Sequence, residues 1–144
     1  MQHDIYTPPS GPPQASAPAL FHRMGESALY QLSDRCYTLL GQSAISDMFP
    51  GGEALQAAAR KQAEFFIGIL GGPPLYLQKH GPPRMRARHF PFPIGEAARQ
   101  EWLRCFRAAL GDGAVYGLTP SENAALLDWV ESFSAWMVNQ EPNP

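Results

Sequence analysis

The sequence predicts a small all-α domain. Apolar residues recur at three- and four-residue spacing in four separate segments, Gly and Pro close those segments, and a Thr-Pro-Ser-Glu start opens the last one. At 144 residues the chain has room for one domain with a substantial core and not for two.

Residues 1–18 hold five prolines with Gly, Ser and Gln, and no Lys or Arg precedes Arg23. A secretory signal needs a basic start and an apolar middle, and this stretch has neither. It reads as a flexible or polyproline-like extension ahead of a domain spanning 19–140, with a tail at 141–144. The helical pattern begins at Ala19, breaks at Gly25 and resumes from Glu26 to about Leu40. Its buried stripe is Leu29, Leu32, Cys36, Leu39 and Leu40. Tyr37 lies beside that stripe, so its ring can be buried while its hydroxyl needs a partner. A short helical turn is expected from Ser43 to Met48, ending at Phe49-Pro50-Gly51-Gly52.

The next helix runs from about Glu53 to Leu70, with Leu55, Ala58, Phe65, Phe66 and Ile69 on its apolar face. Gln62 falls inside that face, four residues after Ala58 and three before Phe65. A buried amide left without partners costs roughly 1–3 kcal/mol, so Gln62 needs one, in the backbone or in a pocket. Lys61 points toward the edge of the same face. Gly71-Gly72-Pro73-Pro74 stops the helix, and Leu75 to Pro83 is expected as a loop carrying Tyr76, Lys79 and His80.

The segment Arg84-Met-Arg-Ala-Arg-His89 is then halted by Pro91 and Pro93, which lack backbone donors and push their predecessors toward extended geometry. His89 is therefore placed at a helix end. There a carbonyl one turn back, that of Met85, can accept the Nδ1 proton and leave Nε2 free as a neutral donor to a metal. Arg84, Arg86 and Arg88 cannot share one direction, since alternate helical residues lie about 200° apart. From these residues alone, His89 is either a structural or surface histidine or a ligand, and the arginines are either a solvated face or anion contacts. The helix from about Gly95 to Leu110 buries Ala98, Trp102, Cys105, Phe106 and Ala109, and Trp102 follows His89 by thirteen residues. After a glycine-rich connection, Thr119-Pro120-Ser121-Glu122 reads as a capping box with proline at the first helical position. The last helix extends to about Asn139, with Leu126, Val130, Phe133 and Met137 inward.

Composition removes several classes. A net charge of −2 gives no support to nucleic-acid binding, and no apolar run reaches membrane-spanning length. Cys36 and Cys105 form no zinc pair or redox motif, and no Cys-x-x-Cys-His attaches a haem covalently. Both are expected as reduced core thiols of a cytoplasmic protein.

Ala58 to Gln62, Gly71-Gly72-Pro73-Pro74-Leu75-Tyr76, His80-Gly81, Arg86 to Ile94 and Trp102-Leu103 stand in one order with kept spacings. Over about residues 21–140 the chain resembles the group II truncated haemoglobins. The resemblance implies a shortened globin fold, a 2-on-2 sandwich of two helix pairs around non-covalent haem b. His89 matches the proximal iron ligand, and Tyr37, Gln62 and Trp102 match distal side chains that face a bound ligand. Ala58 stands where vertebrate globins place a distal histidine and leaves a path for small ligands. Phe49, Lys61, Phe65, Arg86, Arg88 and Phe92 are the expected haem contacts, with Lys61 and the arginines toward its carboxylates. Gly81-Pro82-Pro83 departs from the Gly-His-Pro of several relatives, which removes a loop histidine and no ligand.

The expected function is reversible binding of dioxygen and other small gaseous ligands at ferrous iron, by a monomer or homodimer. The alternative is a redox enzyme, a nitric oxide dioxygenase or peroxidase. That chemistry calls for an external reductase, because nothing here binds a flavin or nicotinamide.

Overall fold

The computed structural model describes residues 5–142. Residues 1–4 and 143–144, the outer ends of the expected extension and tail, lie outside them. Six α-helices follow in order: α1 Phe21–Leu40, α2 Glu53–Ile69, α3 Leu75–His80, α4 Met85–Arg88, α5 Glu96–Leu110 and α6 Pro120–Met137. Short 3-10 turns at Ser46–Met48 and Ala114–Tyr116 interrupt the connections, and no strand occurs among the described residues.

Helix α1 packs along α2 and crosses α5, which in turn carries α6. Leu29, Leu32, Cys36 and Leu40 of α1 meet Phe66 and Ile67 of α2, Leu103, Phe106 and Leu110 of α5, and Leu126 and Val130 of α6 in one buried cluster. Gly25 breaks α1 as its sequence suggests, with φ 79 and ψ 168, a conformation open essentially to glycine. Gly72 is required for a different reason. A Cβ there would stand 2.7 Å from the Phe21 ring and 2.8 Å from the Ile67 carbonyl, so the chain could not pass.

The start of α6 carries the full capping box. Thr119 Oγ1 accepts from Glu122 N–H (3.2 Å), and Glu122 Oε1 accepts from Thr119 N–H (2.9 Å). Thr119→Ala is expected to lower stability to urea by about 1 kcal/mol. An unchanged unfolding midpoint would show that this helix end is held by packing alone.

Three expectations need correction. The Leu75 to Pro83 loop contains α3, a helix too short to show a periodic apolar pattern. The core face of α2 is Ala59, Ala63, Phe65, Phe66 and Ile67, about one residue around from the expected stripe, because the helix is covered on two sides. The extension, over its described residues, lies against the domain. Pro8 is buried, Trp129 Nε1 donates to the Ala15 carbonyl (3.2 Å) and Arg86 donates to that of Tyr6 (2.5 Å). A proline-rich segment is rich in carbonyls and poor in N–H groups, so donors from the domain hold it.

Glu64 is a buried carboxylate, its side chain 3 % exposed, that ties α2 to α3. It accepts from Lys79 Nζ at 2.5 Å and lies 3.1 Å from His80 Nε2. Burial alone would raise its pKa, but the hydrogen bonds and charges of Lys79 and His80 outweigh that and hold it below the usual glutamate value. A depressed folded pKa contributes stability that is complete above the unfolded value of about 4.3 and is lost as pH falls through the folded one. Glu64→Gln is expected to cost about 1–3 kcal/mol at neutral pH and to flatten this acid limb. Parallel acid-unfolding curves for parent and variant would contradict that.

Candidate functional site

The site is built around a single helical turn. Helix α4 opens at Arg84 in the left-handed region (φ 39, ψ 52), a strained entry for a residue with a Cβ, and closes before Pro91. His89 caps it with φ −93 and ψ −4. Its Nδ1 lies 2.6 Å from the Met85 carbonyl, which sets Nδ1 as the protonated nitrogen and leaves Nε2 with a lone pair. The half-buried imidazole lines a cavity of about 400 Å³.

Side chains of α1, α2 and α5 face the same cavity. From α1 comes Tyr37, its ring edge-on to Phe49 at 5.6 Å and 85°. Burial raises its hydroxyl pKa above the ordinary tyrosine value, with the neighbouring Cys36 adding to the effect, so the group stays a donor. No hydrogen-bond partner for that hydroxyl occurs among the described residues. From α2 come Ala58, Lys61, Gln62, Phe65 and Phe66, with Lys61 exposed at the opening. Gln62 Nε2 donates to Ser33 Oγ at a long 3.4 Å, a side-chain partner on α1 rather than the backbone. Near it, on α1, Cys36 carries a fully buried thiol. Burial pushes that thiol up to about 12 against the lowering effect of Gln62, so Cys36 stays protonated and unreactive. From α5 comes Trp102, stacked on Phe106 at 5.3 Å and 17°, with Phe66 stacked on Phe106 at 5.8 Å. The stack fixes the indole plane at the cavity wall.

Phe92 and Arg88 also line the cavity. The Arg88 guanidinium is anchored to the carbonyls of Pro83 (2.6 Å), His80 (2.9 Å) and Pro82 (3.0 Å), which ties α3 to the turn bearing His89. Arg86 is the one expected contact that does not reach the cavity. Its guanidinium donates to the carbonyls of Trp136, Val138 and Tyr6 and lies 4.5 Å from the centre of the Trp136 ring. It is a brace between α4 and the two chain ends, so its place at a cofactor's carboxylates is corrected.

Other lining residues were not anticipated. Tyr76, Met85, Ile94, Arg99, Phe133 and Met137 are among them. The helical periodicity of α6 marked Phe133 and Met137 as inward, but nothing local distinguished the cavity from the core. Arg99 is a cation at the wall already engaged by Glu96 Oε1 (2.7 Å), Ser134 Oγ (3.0 Å) and the Glu131 carbonyl (2.9 Å).

The donor set limits the chemistry. Among the described residues no three His, Cys, Asp or Glu gather as a metal cage, so His89 offers a metal one nitrogen and no more. A flat, largely apolar group that brings its own metal donors fits this cavity of aromatic walls. Acidic groups on its edge would meet Lys61 at the opening.

Comparison with known proteins gives the family and the fold. The bacterial-like globin family profile matches residues 19–139. The group 2 truncated haemoglobin YjbI of Bacillus subtilis is 37% identical over 85% of this chain and 89% of its own length. Among solved structures, phosphate-bound Hell's gate globin IV superposes with a TM-score of 0.83 at 35% identity, covering 91% of this chain and 82% of that one. The truncated oxygen-avid haemoglobin from Bacillus subtilis gives 0.75 at 37% identity, covering 84% and 99%.

Proposed function

Because the chain belongs to the bacterial-like globin family, as a group II truncated haemoglobin, we propose that it holds haem b non-covalently through His89 and retains dioxygen or another small diatomic gas. The observation that carries this reading is one cavity that collects an imidazole with Nδ1 already engaged and donor groups from three other elements. Ferrous haem held by one imidazole supplies an open iron position for such a gas.

The protein's part is positioning and polarity. Met85 fixes the tautomer of His89 and makes its Nε2 a better donor. The Tyr37 hydroxyl and the Trp102 indole N–H, both on the cavity wall, would donate into the space where a bound gas gathers partial negative charge. Gln62 divides its amide between Ser33 and that space, so its contribution is the smaller. Ala58 leaves room for entry, Phe49 and Phe65 with Phe92 at the edge give the cofactor apolar contact, and Lys61 and Arg88 would meet its propionates. That the Bacillus subtilis relative is oxygen-avid supports dioxygen as the gas.

The test is air exposure of the dithionite-reduced, desalted protein, followed by absorption. A stable oxygenated spectrum is expected. Immediate conversion to the ferric form would contradict gas retention.

A further inference from the structure

The turn that follows His89 is short of donors of its own. Pro91 and Pro93 carry no N–H, so the segment from His89 to Ile94 has more carbonyls than donors. Its backbone supplies one bond to the His89 carbonyl, from Phe92 N–H at 2.9 Å. Most of the rest comes from one residue just past the end of α6, with Gln140 N–H adding a longer bond to the Ile94 carbonyl (3.3 Å). Asn139 Nδ2 donates to the carbonyls of Phe92 (2.9 Å) and His89 (3.2 Å), and Asn139 Oδ1 accepts from Ile94 N–H (2.9 Å). The Asn139 backbone N–H donates to the Ile94 carbonyl, also at 2.9 Å. Asn139 is only 6% exposed, and all these bonds go to this one turn.

We propose that Asn139 is a positioning residue for the His89 imidazole, holding it at the angle required by an axial ligand. The inference rests on reading His89 as the iron ligand. The imidazole is restrained at Nδ1 by Met85, and the peptide that carries it is restrained at its carbonyl by Asn139 and Phe92. Release of the carbonyl end lets the peptide rotate and the ring tilt. A primary amide suits the place because it joins two donors and an acceptor on a short stem. Arg86 supports the arrangement from the helix side by binding the carbonyls of Trp136 and Val138, which brings the end of α6 to α4.

The experiment is resonance Raman spectroscopy of the haem-loaded, dithionite-reduced full chain, comparing the parent with Asn139→Ala, Asn139→Asp and Thr119→Ala. The iron–histidine stretching band of Asn139→Ala is expected to shift or broaden, and its haem to pass to excess apomyoglobin about tenfold faster, the low end of what the loss of its three side-chain bonds implies. Asn139→Asp keeps the acceptor for Ile94 but turns a carboxylate toward two carbonyls, so its band moves as well. It decides the matter by the same criterion if Asn139→Ala loads too little haem. Thr119→Ala weakens the far end of α6 and should leave the band in place. An Asn139→Ala band coincident with the parent's, or an equal shift in Thr119→Ala, overturns the proposal. A parent with no iron–histidine band overturns the ligand assignment itself, and this proposal with it.

Discussion

His89→Ala is expected to give a chain that keeps its helices and purifies almost free of haem. The substitution removes the one histidine nitrogen that the described residues offer a metal in that cavity. His80, the nearest in sequence, is committed to Glu64 at 3.1 Å. The fold itself should survive, because His89 is half-buried at the end of a four-residue helix and the core cluster does not include it. Far-ultraviolet circular dichroism close to the parent's, with a Soret absorbance at most about a tenth of it, is the expected pair of results; tenfold corresponds to only about 1.4 kcal/mol, less than a coordinate bond contributes. An ordinary five-coordinate ferrous spectrum from the variant would exclude His89 as the ligand.

Removing the distal donors has the second largest expected effect. If each hydrogen bond contributes on the order of 1 kcal/mol in a dry pocket, the triple variant Tyr37→Phe, Gln62→Leu, Trp102→Phe should release dioxygen about a hundredfold faster than the parent. The three contributions are not equal. Trp102 is held in plane by Phe106, and the Tyr37 hydroxyl has no other partner among the described residues. Their single substitutions should each accelerate release several-fold. Gln62 already leans on Ser33, so Gln62→Leu should do the least. Dioxygen release into carbon monoxide, followed by stopped-flow absorption, measures all four variants. An unchanged rate in Trp102→Phe would remove the indole from the set.

Local features were readable in the sequence. The stop at Pro91, the carbonyl of Met85 one turn before His89 and the capping box at Thr119 depend on residues within four positions of each other. Their geometry follows from helix parameters alone. The placement of Tyr37, Gln62 and Trp102 as pocket residues came instead from the order of motifs across the chain. Long-range partners stayed hidden. Arg86 turns from the cavity because the carbonyls it binds lie 50 and 52 residues further on. Glu64 is buried in a helix face because its two partners, Lys79 and His80, arrive with α3, 15 and 16 residues later. Asn139 carries no signal in its own neighbourhood, since its partners belong to a turn 45 to 50 residues earlier.

The most direct measurement is the absorption spectrum of the purified full chain, supplemented with hemin, in its ferric, dithionite-reduced and carbon monoxide forms. The account predicts one haem per chain, a five-coordinate reduced spectrum and its conversion by carbon monoxide to a six-coordinate one. A chain that stays colourless in the presence of hemin would contradict it.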